Sequence, residues 1–140
     1  MATPVISAGV IVVRQLDGDP HYLLLRVFRY WDFPKGLVEK EEEPLAAALR
    51  EVEEETTLTR LSFRLGMEFR ETPPDAMCKV ARYYVAESAQ GEVSLPINPE
   101  LGHPEHHEFR WVSYDVAREM VADRVKPILD WAHALVAEGK

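Results

Sequence analysis

Glu51, Glu53, Glu54 and Glu55 crowd four carboxylates into five consecutive positions of the stretch LREVEEETTL. On a helix, Glu51, Glu54 and Glu55 stand at i, i+3 and i+4, so their carboxylates emerge side by side on one face. Like charges at that spacing destabilise a helix, and Arg50, four residues before Glu54, offsets only part of the repulsion. The missing partner is a cation. Hard divalent ions such as Mg²⁺ take oxygen ligands, use few protein carboxylates and complete their shell with water and substrate phosphates. A solvated acidic face is the plain alternative for any run of glutamates, and the triad alone does not exclude it.

The helix that would carry the triad is well marked. Pro44 suits a first helical position, and Leu45 to Thr56 places Leu45, Ala48, Leu49 and Val52 at helical spacing on an apolar face. Before it, Val5 to Arg14 is β-branched and apolar on both faces, as a buried central strand should be. The turn Asp17-Gly18-Asp19-Pro20 leads to a second strand, His21 to Val27, which pairs with the first as a hairpin. After the helix, Leu61 to Thr72 and Cys78 to Glu87 read as strands around Pro73-Pro74-Asp75. A polar, Pro-rich loop follows, then a short strand from Phe109 to Ser113. Asp115 is placed to cap a short helix, and Pro127 to Glu138 forms the last one. The class is α/β with a mixed sheet and few helices.

Composition bounds what such a chain can do. With 140 residues, 46% hydrophobic and 29% charged, it is expected to be one globular domain, 1–140. The strongly apolar run Val5 to Val13 is too short to span a bilayer and lacks a basic leader, so a cytoplasmic protein without membrane contact is expected. A lone Cys78 excludes metal sites built on Cys pairs. The net charge of −8 should repel nucleic acid, yet metal held by acidic side chains can invert the local field and admit a polyphosphate.

The spacing around the glutamates is more specific than the glutamates themselves. Gly36, Glu42, Arg50, Glu51, Val52, Glu54, Glu55 and Leu58 resemble the Nudix box, whose pattern runs Gly, five residues, Glu, seven residues, Arg-Glu-aliphatic-x-Glu-Glu-x-Gly-aliphatic. The resemblance implies a Nudix-type α/β/α sandwich, with a mixed β-sheet between helices, that hydrolyses a nucleoside diphosphate linked to another moiety. Under it, Glu51, Glu54 and Glu55 are the ligands of Mg²⁺, with Mn²⁺ as a substitute, while Glu42 and Arg50 orient them. Two positions depart from the family pattern. Thr57 occupies the final Gly, where a β-branched residue ends a helix less readily in the left-handed conformation, so a different helix end is expected. Glu41 stands where many members carry Gly.

Three further segments resemble the branch of the family that cleaves diadenosine tetraphosphate asymmetrically to ATP and AMP. Trp31, Pro34, Lys35 and Gly36 match its W-x-x-P-K-G segment and would put Lys35 beside the phosphates. Lys79, Tyr83, Ala86 and Glu87 match its K-x-x-x-Y-x-x-A-E strand; alternation puts Lys79 and Tyr83 on one face, one for phosphate and the other for a base ring. HPEHHEFRWV, residues 103 to 112, is similar to its H-E-H-x-x-Y-R-W turn, which makes Glu105 an additional acidic residue and His106 a phosphate contact. The clustered histidines are explained more cheaply as a polar lid than as a zinc site.

The favoured function is therefore Mg²⁺-dependent hydrolysis of a dinucleoside polyphosphate, with a small-molecule nucleotide as substrate, no nucleic acid or membrane partner expected, and the oligomeric state open. Glu51 is first choice to take the proton of the attacking water, and Glu105 second. The rivals are a house-cleaning nucleoside triphosphate pyrophosphohydrolase, an RNA 5′-end pyrophosphohydrolase, and a non-catalytic module that binds nucleotides. The intact triad argues against the last, because a pure binder has no need for so much repulsion.

Overall fold

The alternation of buried side chains along the longest strands explains the architecture. A computed structural model describes residues 4–139. β1 (Val5–Leu16), β2 (Asp19–Val27) and, later in the chain, the long strand Lys79–Ser88 form the centre of a mixed sheet. In β1, Ala8, Val10 and Val12 enter one apolar cluster, and Ile11 and Val13 the other. A strand buried on both sides must read as continuously apolar, which is what Val5 to Arg14 does.

Between the central strands run β3 (Tyr30–Asp32), β4 (Lys35–Leu37) and α1 (Pro44–Thr56), followed by β5 (Leu61–Ser62) and β6 (Phe69–Glu71). The strand Lys79–Ser88 is β7. Beyond it lie β8 (Ile97–Asn98), β9 (His103–Pro104), β10 (Glu108–Ser113), α2 (Tyr114–Met120) and α3 (Lys126–Glu138). The sheet order is β10-β2-β1-β7-β5, with β3 on β2, β4 on β1 and β6 on β7. Among the described strand pairs β1 and β7 run parallel and the others antiparallel, with one isolated parallel bridge between Trp31 and Val121. Ala47, Ala48 and Val52 of α1 close one face with Leu23, Leu25 and Tyr84. Ile128, Leu129, Ala132 and Val136 of α3 close the other with Tyr22, Leu24 and Tyr83. This is the α/β/α layering that the sequence implies. No helix among the described residues is long and apolar enough to cross a membrane.

Several local expectations are corrected. Leu61 to Thr72 is not one strand: Ser62 pairs with Glu87 and Phe69 with Tyr84, so seven steps on one side face three on the other. The surplus must loop out, and it turns where the Gly66 N–H donates to the Phe63 carbonyl at 2.9 Å. Ser113, not Asp115, caps α2; its hydroxyl accepts from the Val116 N–H because Ser113 is the last extended residue. The Pro-rich loop contains the two-stranded β8–β9 hairpin.

The helix end at Thr57 also differs from expectation. Thr57 adopts the left-handed conformation, φ 68°, that Gly would take, and its N–H donates to the Glu53 carbonyl. Glu41, the other departure from the family pattern, likewise has φ 65°. The backbone thus takes left-handed turns at two residues that do not prefer them.

Candidate active site

Arg50 organises the acidic side chains of α1 and the loop before it. Its Nε and Nη2 donate to the two oxygens of Glu42 at 2.8 and 3.0 Å, a bidentate pairing. Its Nη1 reaches Glu51 Oε1 at 2.8 Å and Glu54 Oε2 at 3.1 Å, and Nη2 reaches the Leu37 carbonyl at 3.1 Å. One guanidinium thus fixes three carboxylates and the end of β4. The hydrogen bonds from Arg50 hold the Glu42 carboxyl down at about 2.

β4 supplies the space. A Cβ on Gly36 would fall 2.1 Å from the carboxyl carbon of Glu51, so any other residue there would push the Glu51 carboxylate out of its place. One residue back, the Lys35 N–H donates to Glu55 Oε1 at 3.1 Å, and the Lys35 ammonium stands 3.6 Å from Asp32. The box helix is therefore pinned to the sheet through its own carboxylates.

The late loop brings the remaining acid. Glu55, Glu105 and His106 each offer a ligand atom, and these atoms lie within 4.8 Å of one another. Glu55 is buried, and its Oε2 has no hydrogen-bond partner among the described residues. Burial, then the nearby Glu105 charge, pushes the Glu55 carboxyl up to about 10. Glu51 is raised as well, chiefly by burial, against the pull of Arg50. His106, with 13% of its side chain exposed, is lowered by burial and so holds a neutral ring at pH 7. Crowded, desolvated carboxylates facing one another fit a divalent cation: an orphaned buried oxygen, a second carboxylate and a neutral imidazole suit Mg²⁺ or Mn²⁺. Glu54 lies on the rim, more exposed and held by Arg50. These side chains border a cleft of about 930 Å³, whose far wall is the β8–β9 hairpin with Ile97 and Asn98.

A model of the NUDIX domain matches residues 3–132. The chain belongs to the NUDIX family. It is 29% identical over 117 residues to a bis(5′-nucleosyl)-tetraphosphatase [asymmetrical] of Caenorhabditis elegans, a match covering 79% of this chain and 80% of that one. An RNA pyrophosphohydrolase of Shewanella sediminis is 31% identical over 98 residues, covering 60% of this chain and 56% of the relative. A crystal structure of a C. elegans Ap4A hydrolase binary complex superposes with a TM-score of 0.79 at 24% identity, covering 96% of this chain and 98% of that one. This Nudix hydrolase thus has the fold and enzyme class implied by Gly36 to Leu58.

Other residues named from sequence are placed less uniformly. Trp31 is half-buried between two cations, 6.0 Å from Arg26 and 5.0 Å from Arg110. Lys79 is exposed at the start of β7. Tyr83 is 0% exposed, so the expectation that it stacks a base is overturned: α3 and Phe33 cover its face of β7. Its hydroxyl instead donates to Asp32 at 2.9 Å. The histidines do not converge as a zinc site would require. His103 contacts the Pro104 carbonyl and His107 the Phe28 N–H, leaving only His106 beside the carboxylates. Asp32, which links Tyr83 to Lys35, was missed; its only signal is its position inside the W-x-x-P segment.

Proposed function

We propose that this Nudix hydrolase cleaves a dinucleoside polyphosphate, diadenosine tetraphosphate to ATP and AMP, with Mg²⁺ held by Glu51, Glu54 and Glu55 and Mn²⁺ able to substitute. The observation that carries the reading is that one cleft gathers Glu51, Glu54 and Glu55 with Glu105 and His106, around a buried Glu55 oxygen that no group among the described residues satisfies. A bound divalent ion would screen phosphate oxygens and favour ionisation of water. The residues do the rest. Glu51, its second oxygen free of the Arg50 bond, accepts the proton as a water oxygen bonds to phosphorus and the bridging P–O bond breaks toward the leaving nucleotide. Glu105 is the alternative acceptor. Lys35 and His106 face the phosphates, Lys79 and Trp31 line the approach, and Arg50 keeps the carboxylates from turning away.

The substrate choice rests on the W-x-x-P-K-G segment, the Glu105 turn and the similarity to the C. elegans tetraphosphatase. The similarity to RNA pyrophosphohydrolases favours triphosphorylated RNA as second reading. Purified protein with Mg²⁺ is to be given diadenosine tetraphosphate, nucleoside triphosphates and 5′-triphosphorylated RNA, with products separated chromatographically. The highest kcat/KM is expected for diadenosine tetraphosphate, with ATP and AMP in equal amounts. A higher kcat/KM for triphosphates or RNA overturns the substrate. Glu51→Gln should then lose more kcat than Glu105→Gln; the reverse order assigns the proton to Glu105.

A further inference from the structure

A nucleoside substrate needs a surface that can stack its base, and buried Tyr83 does not offer one. Exposed aromatic rings do stand at the tip of the β2–β3 hairpin, which meets the late loop at His107. Val27 pairs with Tyr30, so Phe28 and Arg29 form a two-residue turn. Phe28 is 71% exposed and Tyr30 62%. Phe28 has φ 55°, a conformation that Gly, Asn or Asp normally supplies in such a turn. A bulky ring is thus held in solvent at a position that disfavours it, which is where functional constraint is to be sought.

The turn is tied to the cluster. The Phe28 N–H donates to His107 Nδ1 at 3.3 Å, and the two rings meet edge to face at 5.4 Å. His107 directly follows His106. Charge points the same way. Arg29, 5.2 Å from the Tyr30 ring, has no acidic partner within 4.0 Å among the described residues. Arg26 is already committed, donating to the Phe28 carbonyl at 2.6 Å and to Glu108 Oε1 at 3.1 Å, which leaves Arg29 as the cation at the turn without an acidic partner. The cleft lining itself carries Glu39, Glu53, Glu54 and Glu100. A polyphosphate leaving the carboxylates is repelled by these acids and attracted toward Arg29.

We propose that the Phe28–Tyr30 turn is a base-stacking platform: Phe28 and Tyr30 take one nucleobase of the substrate, while Arg29 faces the adjoining phosphate and Arg26 holds the turn in place. This deepens the reading above and rests on its nucleoside polyphosphate chemistry. Stacking is indifferent to which base is offered, because every base has a π-face.

The test is titration calorimetry with Ca²⁺ replacing Mg²⁺ to suppress turnover, using diadenosine tetraphosphate, ATP, triphosphorylated RNA and inorganic tripolyphosphate. Phe28→Ala and Tyr30→Ala should each weaken binding of the base-bearing ligands by about tenfold, the scale of one lost aromatic stack. Tripolyphosphate affinity should not change. Phe28→Trp should retain nucleotide binding, and melting temperatures should show both alanine variants folded. Unchanged nucleotide affinity in both alanine variants, an equal loss for tripolyphosphate, or a wild type that binds no nucleotide overturns the platform. If the variants lose ATP binding but the wild type hydrolyses no dinucleoside polyphosphate, the platform stands and the substrate proposed above falls.

Discussion

Thr57→Gly offers a sharp test of how the box helix ends. Thr57 sits at φ 68° and is exposed, so the substitution removes a Cβ from a left-handed position without emptying the core. Left-handed backbone costs an L-residue roughly 1–2 kcal/mol, and glycine returns about 0.5–1 kcal/mol of that through its greater freedom in the unfolded chain. The net gain is about 0.5–1 kcal/mol. For a domain of this size that raises Tm by about 2–4 °C. Thermal and urea unfolding of the wild type and Thr57→Gly measure it, with Mg²⁺-dependent kcat as the check that the triad has not moved. A Tm equal to or below that of the wild type would refute the reasoning, because it would mean that Thr57 contributes contacts outweighing its backbone strain.

Glu55→Gln should abolish most turnover while the variant still melts cooperatively, since the amide fills the same buried space but brings no charge to a cation; full activity at limiting Mg²⁺ would remove Glu55 from the ligand set. Tyr83→Phe should cost about 1 kcal/mol of stability, the value of one hydrogen bond, and lower kcat/KM by freeing Asp32 beside Lys35. Tyr84→Ala, buried against α1, should cost about 3–5 kcal/mol with KM little changed, read by unfolding and steady-state kinetics. Glu42 titrates at about 2 in the fold against an ordinary 4.5, so its contribution is present above 4.5 and is lost as pH falls toward 2. Glu42→Gln should accordingly flatten the acid limb of the stability curve over that window, measured by urea unfolding across pH.

What could be read from the sequence follows from the range of each signal. The box helix was legible because Glu51, Glu54 and Glu55 share a face by local geometry alone, and β1 because burial on both sides leaves no polar alternation. Glu105 was found through its motif, but its meeting with Glu55 is a tertiary event some fifty residues apart in the chain. Alternation assigned Lys79 and Tyr83 to one face correctly, yet cannot say what covers that face: α3 and its neighbours bury Ala81, Tyr83 and Val85 and leave Lys79 exposed. The three-residue strands β3 and β4 are too short to show a period, although β4 decides where Glu51 and Glu55 point. Phe28, Arg29 and Tyr30 carry no signal in the sequence because exposure is invisible there.

The parallel pairing of β1 with β7 sets the order in which the protein can be assembled. Val5 lies opposite Lys79, so the central pair closes a loop within which the whole of α1 is strung. Such non-local pairing charges its loop entropy before any contact is gained, and chains that rely on it fold slowly. A nascent chain stalled before Lys79 already contains every box glutamate but has no β7 to complete the floor beneath Val52 and Tyr84's partners. The helix with its acidic triad can therefore rest on β1 and β4 early in synthesis, but the sheet beneath it is completed only after a strand that contributes no ligand to it has been made.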